Sequence, residues 1–194
     1  MVTYSSYNSL GSSIETGEIT DKAVTITKLA DDMLKWNYIE TLTFNNDNSK
    51  TSNTLPAYDE YMIRFELFSA GANVDLRLRL NGNSGNIYRY RIANVTSGFA
   101  TVTSNSYMLI AQTDDTSVRP PAFGVLFING KTPADSGGCF GVCGCINAGY
   151  GDAITRLDFG LANFGSEVQL TSITLYASSG SYTGKVEIFG RNRL

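Results

Sequence analysis

Apolar and polar positions alternate along most of this chain. Asn73 to Leu80 (NVDLRLRL) sets Val74, Leu76, Leu78 and Leu80 on one face, Ile87 to Val95 (IYRYRIANV) repeats the pattern, and Tyr61 to Phe68 (YMIRFELF) follows it in part. A period of two predicts strands with one buried face and one wet face. The pattern continues through Tyr107 to Gln112, Phe123 to Asn129, Ile154 to Leu161, Val168 to Ala177 and Lys185 to Gly190. Turn signals separate or follow these runs: NGNSGN between Leu80 and Ile87, which predicts a hairpin, then Asn129-Gly130, Ser179-Gly180 and Thr183-Gly184. No sustained helical period appears beyond Trp36. About eight to ten short strands at near-regular spacing predict an all-β fold, an antiparallel β-sandwich with a jelly-roll-like arrangement.

The first part of the chain reads differently. Ile14, Ile19, Val24, Leu29 and Leu34 recur every fifth residue, a step that suits neither a lone helix nor a lone strand. A segment this poor in large apolar groups cannot form a core alone, so the ladder predicts burial against copies of itself or a docking protein. Within it, Ile26, Leu29, Met33 and Trp36 follow a 3-4-3 spacing that predicts one stripe of a short helix capped at Thr20 or Asp21. The plainer alternative is an arm that docks on its own domain. Phe44 to Pro56 (FNNDNSKTSNTLP) is polar and turn-rich and reads as a loop or junction. The expected organisation is an N-terminal attachment and oligomerisation stem over residues 1–37 and a β-domain over residues 38–194.

Charge narrows the range of partners. The net charge is −3 and charged residues make up 17% of the chain, below the usual share of about 25%. With no basic field, nucleic acid is not an expected partner. No run reaches the roughly 20 apolar residues of a membrane helix, and Met1 to Gly11 lacks the regions of a signal peptide, so a soluble, unprocessed chain is expected.

Histidine is absent, which removes the usual general base and the commonest metal ligand. Cys139, Cys143 and Cys145 crowd into a Gly-rich stretch read as a loop. They lack a fourth ligand and the C-x2-C spacing of a zinc site, leaving a local disulfide, free thiols or an intermolecular link. Asp114 with Asp115, or Glu40 with Asp47, would make a glycosidase pair only across a cleft. Asn46-Asp47-Asn48 offers oxygens for calcium without a dedicated loop pattern, and Asn94-Val95-Thr96 fits a glycosylation sequon. The expectation is a non-enzyme with no cofactor and no metal.

Two binding features remain. Arg77, Arg79, Arg89 and Arg91 alternate with apolar residues and are expected together on adjacent strands, either to hold an anionic glycan or to pair with Glu60, Glu66 or Asp75. Tyr88, Tyr107, Tyr150 and Tyr182 lie near turns and are candidates to stack on a sugar, or to fill the core.

Two regions carry a resemblance. Gly17 to Asp32 (GEITDKAVTITKLADD) resembles the I-T-x-x-A-V-T-x-x-K-L-A segments of tail fibres, head fibres and related appendages of bacterial viruses. Tyr58 to Tyr90 and Ile173 to Arg191 are similar to the β-sandwich that follows such segments, with its Y-D-x-Y opening, L-R-L-R strand, Gly/Asn hairpin and closing G-x-(V/F)-x-(I/L)-(F/Y)-G strand. The resemblance spans about two thirds of the chain, and Gly137 to Gly149 departs from it. It implies a virion structural protein, a head fibre, spike or tail appendage that is a homotrimer. It further implies contacts with other virion proteins and host attachment, in some cases to a surface glycan. The alternatives are a lectin-like carbohydrate-binding module and a capsid decoration protein.

Overall fold

The computed structural model describes residues 35–69, 74–94, 98–113, 121–132, 139–148 and 154–193. Among them are twelve strands and no helix: β1 (Asn37–Asp47), β2 (Ser49–Thr51), β3 (Glu60–Ser69), β4 (Val74–Leu80), β5 (Tyr88–Asn94), β6 (Gly98–Asn105), β7 (Met108–Thr113), β8 (Ala122–Asn129), β9 (Cys139–Ala148), β10 (Ile154–Asn163), β11 (Ile173–Ala177) and β12 (Tyr182–Arg191). They form two antiparallel sheets, a large one in the order β1-β12-β3-β8-β9-β10-β5-β6 and a small one in the order β2-β11-β4-β7. Thus the all-β, antiparallel expectation holds. Ile14, Ile19, Val24, Leu29 and Leu34, with the expected short helix, lie outside the described residues. The first strand opens at Asn37, at the edge of the expected stem.

The pairing order follows a simple rule. Strands β1 to β4 alternate between the sheets, and each pairs with a strand counted from the other end of the chain: β1 with β12, β2 with β11, β3 with β8, β4 with β7. Two excursions, β5–β6 and β9–β10, extend the large sheet beyond β8.

One apolar core lies between the sheets, fed by alternation. Tyr61, Ile63, Phe65 and Leu67 point inward from β3, and Val74, Leu76, Leu78 and Leu80 from β4. Among the described residues, three contacts stand out in tying the sheets together. The Tyr182 hydroxyl on β12 donates to the Val74 carbonyl on β4 at 3.1 Å, and the Tyr88 hydroxyl on β5 accepts the Leu80 amide at 2.9 Å. At the third, Met108 on β7 fills the space a side chain would need at Gly160 on β10.

Several local expectations need correction. NGNSGN does not close a hairpin; it carries the chain from β4 in the small sheet to β5 in the large one. Asn81, at φ +51°, accepts the Thr171 amide at 2.7 Å and donates to the Gln169 carbonyl at 2.8 Å, so the turn is fastened to the approach of β11. That approach is not strand up to Ile173: the Val168 amide donates to the Thr132 hydroxyl at 2.7 Å instead. Thr183-Gly184 lies inside β12, not at a turn. The polar stretch from Phe44 contains the end of β1 and all of β2, and the cysteine-bearing loop is strand β9, paired with both β8 and β10.

Candidate functional site

The outer face of β1-β12-β3-β8 carries an unusual apolar load. In register across four strands run Tyr38, Phe189, Met62 and Phe127. Four large apolar side chains stay open to solvent here: Tyr38 is 60% exposed, Phe127 46%, Phe123 45% and Phe68 43%. Strand β8 is apolar on both sides, with Phe123, Val125 and Phe127 outward and Leu126 and Ile128 in the core. An antiparallel strand with one face on a core ordinarily shows a polar second face. Beside this ridge runs an open groove of about 610 Å³, lined by Phe123 and Val125 and by the charged Arg64, Glu66, Lys185 and Glu187. Arg64 and Glu187 pair at 3.7 Å in the open, where such a pair is worth little.

Trp36 caps one end of this face. It directly precedes the edge strand β1, yet its ring lies 5.9 Å from that of Phe127, on the third strand inward from β1, and the Arg191 guanidinium sits 4.5 Å from the Trp36 ring. The chain therefore reaches β1 across the outer face of the sheet. Arg191 is held from below: its Nε and one terminal nitrogen both lie 2.6 Å from Glu60 Oε2, while Arg193 Nε donates to Glu60 Oε1 at 2.7 Å. Partial burial pushes the Glu60 carboxyl up, but hydrogen bonds and charge from Arg191 and Arg193 outweigh it and leave the carboxyl below its usual range.

The small sheet presents a different outer face. Arg77 lies 4.0 Å from the Tyr107 ring centroid and Arg79 lies 4.8 Å from that of Tyr176. The two rings meet edge to face at 6.4 Å. Asp75 pairs with Arg77 at 2.9 Å, and the Ser106 carbonyl accepts from Arg79 Nε at 3.0 Å. Burial raises the Tyr176 phenol despite the nearby Arg79 and Arg77 charges. The four arginines do not gather: Arg77 and Arg79 stand on the small sheet, Arg89 and Arg91 on β5 of the large one. Glu60 pairs with Arg191 and Arg193 instead of with any of them.

The tyrosine candidates separate by burial. Tyr88 and Tyr182 are fully buried, their rings in the core and their hydroxyls spent on cross-sheet hydrogen bonds, so neither shows a face to a sugar. Tyr107 is half-buried in the arginine ladder. Tyr150 lies outside the described residues, as do Asp114 and Asp115.

The remaining candidates fare as follows. Glu40 and Asp47 share β1, seven residues apart, and a strand separates such positions by roughly 23 Å, far beyond a glycosidase pair. Asp47 accepts the Asn45 amide at 2.8 Å and pairs with Lys50 at 2.9 Å; these contacts lower its pKa. Asn46 Oδ1 accepts the Ser181 hydroxyl at 2.5 Å and Asn48 donates to the Gly180 carbonyl at 2.7 Å, so this trio fastens the turn between β1 and β2 to the turn before β12. Along β9, Cys139 stands four residues from Cys143, about 13 Å in a strand, beyond disulfide reach. Among the described residues, no helix is long and apolar enough to cross a membrane.

No protein-family model matches the chain, and no curated protein matches its sequence.

Proposed function

We propose that this chain is a non-enzymatic structural protein of a virion, a head fibre, spike or tail appendage. In this reading the segment around Ile14, Ile19, Val24, Leu29 and Leu34 gathers three copies and fixes them to other virion proteins, while the β-domain projects outward. The carrying observation is the strand order. We read the runs β1-β12-β3-β8 and β2-β11-β4-β7 as a ribbon folded back on itself and rolled, a jelly-roll-like arrangement of the kind widespread among capsid and lectin domains. The likeness of GEITDKAVTITKLADD to appendage segments supports the same reading. Its energetics would come from burying apolar area at about 25 cal/mol per Å². Light scattering tests it: Ile14→Asp with Ile19→Asp converts a trimer to monomers, and a wild-type monomer sinks the assembly claim.

Carbohydrate recognition is the second reading, favoured by the ladder of Arg77, Tyr107, Arg79 and Tyr176. Rings held by guanidinium groups are stiff platforms for a sugar face, and the two positive charges favour an acidic sugar. Binding on a glycan array that is lost in Tyr107→Ala decides for it.

A further inference from the structure

We propose that the outer ridge of β8 is the seat of this chain's own residues 26–35. They would lie there as a short helix whose stripe Ile26, Leu29 and Met33 continues the contact already made by Trp36. Three observations lead there. First, Trp36 is the last member of the 3-4-3 stripe expected from the sequence, and its ring rests against Phe127 on the ridge. Second, Trp36 sits over the sheet face between Phe127 and Arg191, so the segment that precedes it is tethered beside the ridge. Third, the dimensions agree. Phe123 to Phe127 spans about 13 Å of strand, and ten helical residues rise about 15 Å.

The groove beside the ridge supplies the remaining fit. Its walls carry both signs of charge, Arg64 and Lys185 against Glu66 and Glu187. The segment's polar positions also carry both signs, with Lys28 and Lys35 against Asp31 and Asp32. A tethered helix needs little intrinsic stability, because its direct continuity with Trp36 makes docking an intramolecular event at high effective concentration. The occupant is therefore the same chain, not a second copy. This placement narrows the association ladder proposed above: Ile14, Ile19 and Val24 remain for association, Leu29 turns to the ridge, and Ile26 to Lys35 positions the ladder relative to the β-domain. It stands whether or not the copies trimerise.

The test is site-directed disulfide trapping in the full chain. Leu29→Cys with Phe123→Cys, mildly oxidised, is expected to give a 29–123 link within one chain, running at single-chain mass on a denaturing non-reducing gel and assigned by peptide mapping. A link only between chains would overturn the proposal in favour of a neighbouring copy, and no link would overturn it outright. Trp36 is the single tryptophan, so its quenching by acrylamide gives a second readout that leaves every strand residue unaltered. Leu29→Asp with Met33→Asp is expected to raise that quenching at least twofold, and an unchanged value counts against docking. A wild-type monomer with the link formed would sink the assembly reading and leave the docking intact.

Discussion

The hydroxyl of Tyr182 on the large sheet reaches through the core to the Val74 carbonyl on the small sheet, 3.1 Å away. The ring is fully buried on the way, so one side chain supplies both packing and a polar link between layers. Tyr182→Phe keeps the packing and removes the link. The expected loss is about 1 kcal/mol, the net worth of a typical hydrogen bond, seen as a lower urea midpoint at unchanged slope.

Gly184 separates two effects that usually travel together. Its φ of +140° disfavours a side chain, and an added Cβ would collide with the Glu66 carbonyl oxygen on the neighbouring strand. Gly180, at φ +65°, has open space around the same position. Gly180→Ala is expected to cost about 1 kcal/mol for the left-handed backbone alone, and Gly184→Ala at least about 2 kcal/mol more. Equal losses in denaturant melts would show that the sheet yields at Glu66.

Acid stability should depend on Glu60. Its folded pKa lies below the ordinary 4.5, so it contributes stability that is fully present above that value and is lost as pH falls through the folded pKa. Glu60→Gln should therefore lower the melting temperature at pH 7, with the gap to wild type closing below about pH 4. A gap constant from pH 3 to pH 7 would refute the clamp's electrostatic role.

Tyr88 sets the opposite limit. Burial pushes its phenol up to about 12, despite the Leu80 amide that donates to it. A folded pKa raised above the unfolded value of 10 gives stability that is complete below pH 10 and lost as pH climbs towards 12. Tyr88→Phe should flatten this alkaline limb of the melting curve, and a limb of unchanged slope would assign it to other groups.

The strands legible in the sequence were those with large side chains at alternate positions, such as Val74, Leu76, Leu78 and Leu80. Strand β9, CFGVCGCINA, resembles a loop in sequence because glycines interrupt it; pairing with β8 and β10 on both sides outweighs that weak propensity. Alternation also says nothing about which sheet a strand joins, which is why Arg77 and Arg89 were expected side by side and are not. The same blindness put Tyr88 and Tyr182 among binding candidates, since a tyrosine near a turn looks alike whether it faces solvent or crosses the core. The sequence does carry one such signal: FGVLFIN is apolar at successive positions, and a strand apolar on both faces implies a cover on the second.

The path of the chain at Trp36 also governs how the β-domain would bear load. Strand β1 begins where β12 ends, with Asn37 opposite Gly190, so tension transmitted from upstream arrives at the end of a strand pair that could be peeled open bond by bond. Trp36, wedged between Arg191 and Phe127, stands ahead of that point. Pulling must first extract an indole from beneath a guanidinium anchored on Glu60 before the Asn37 pair feels the force. The domain thus carries a mechanical stop at the place where a tether would otherwise unzip it.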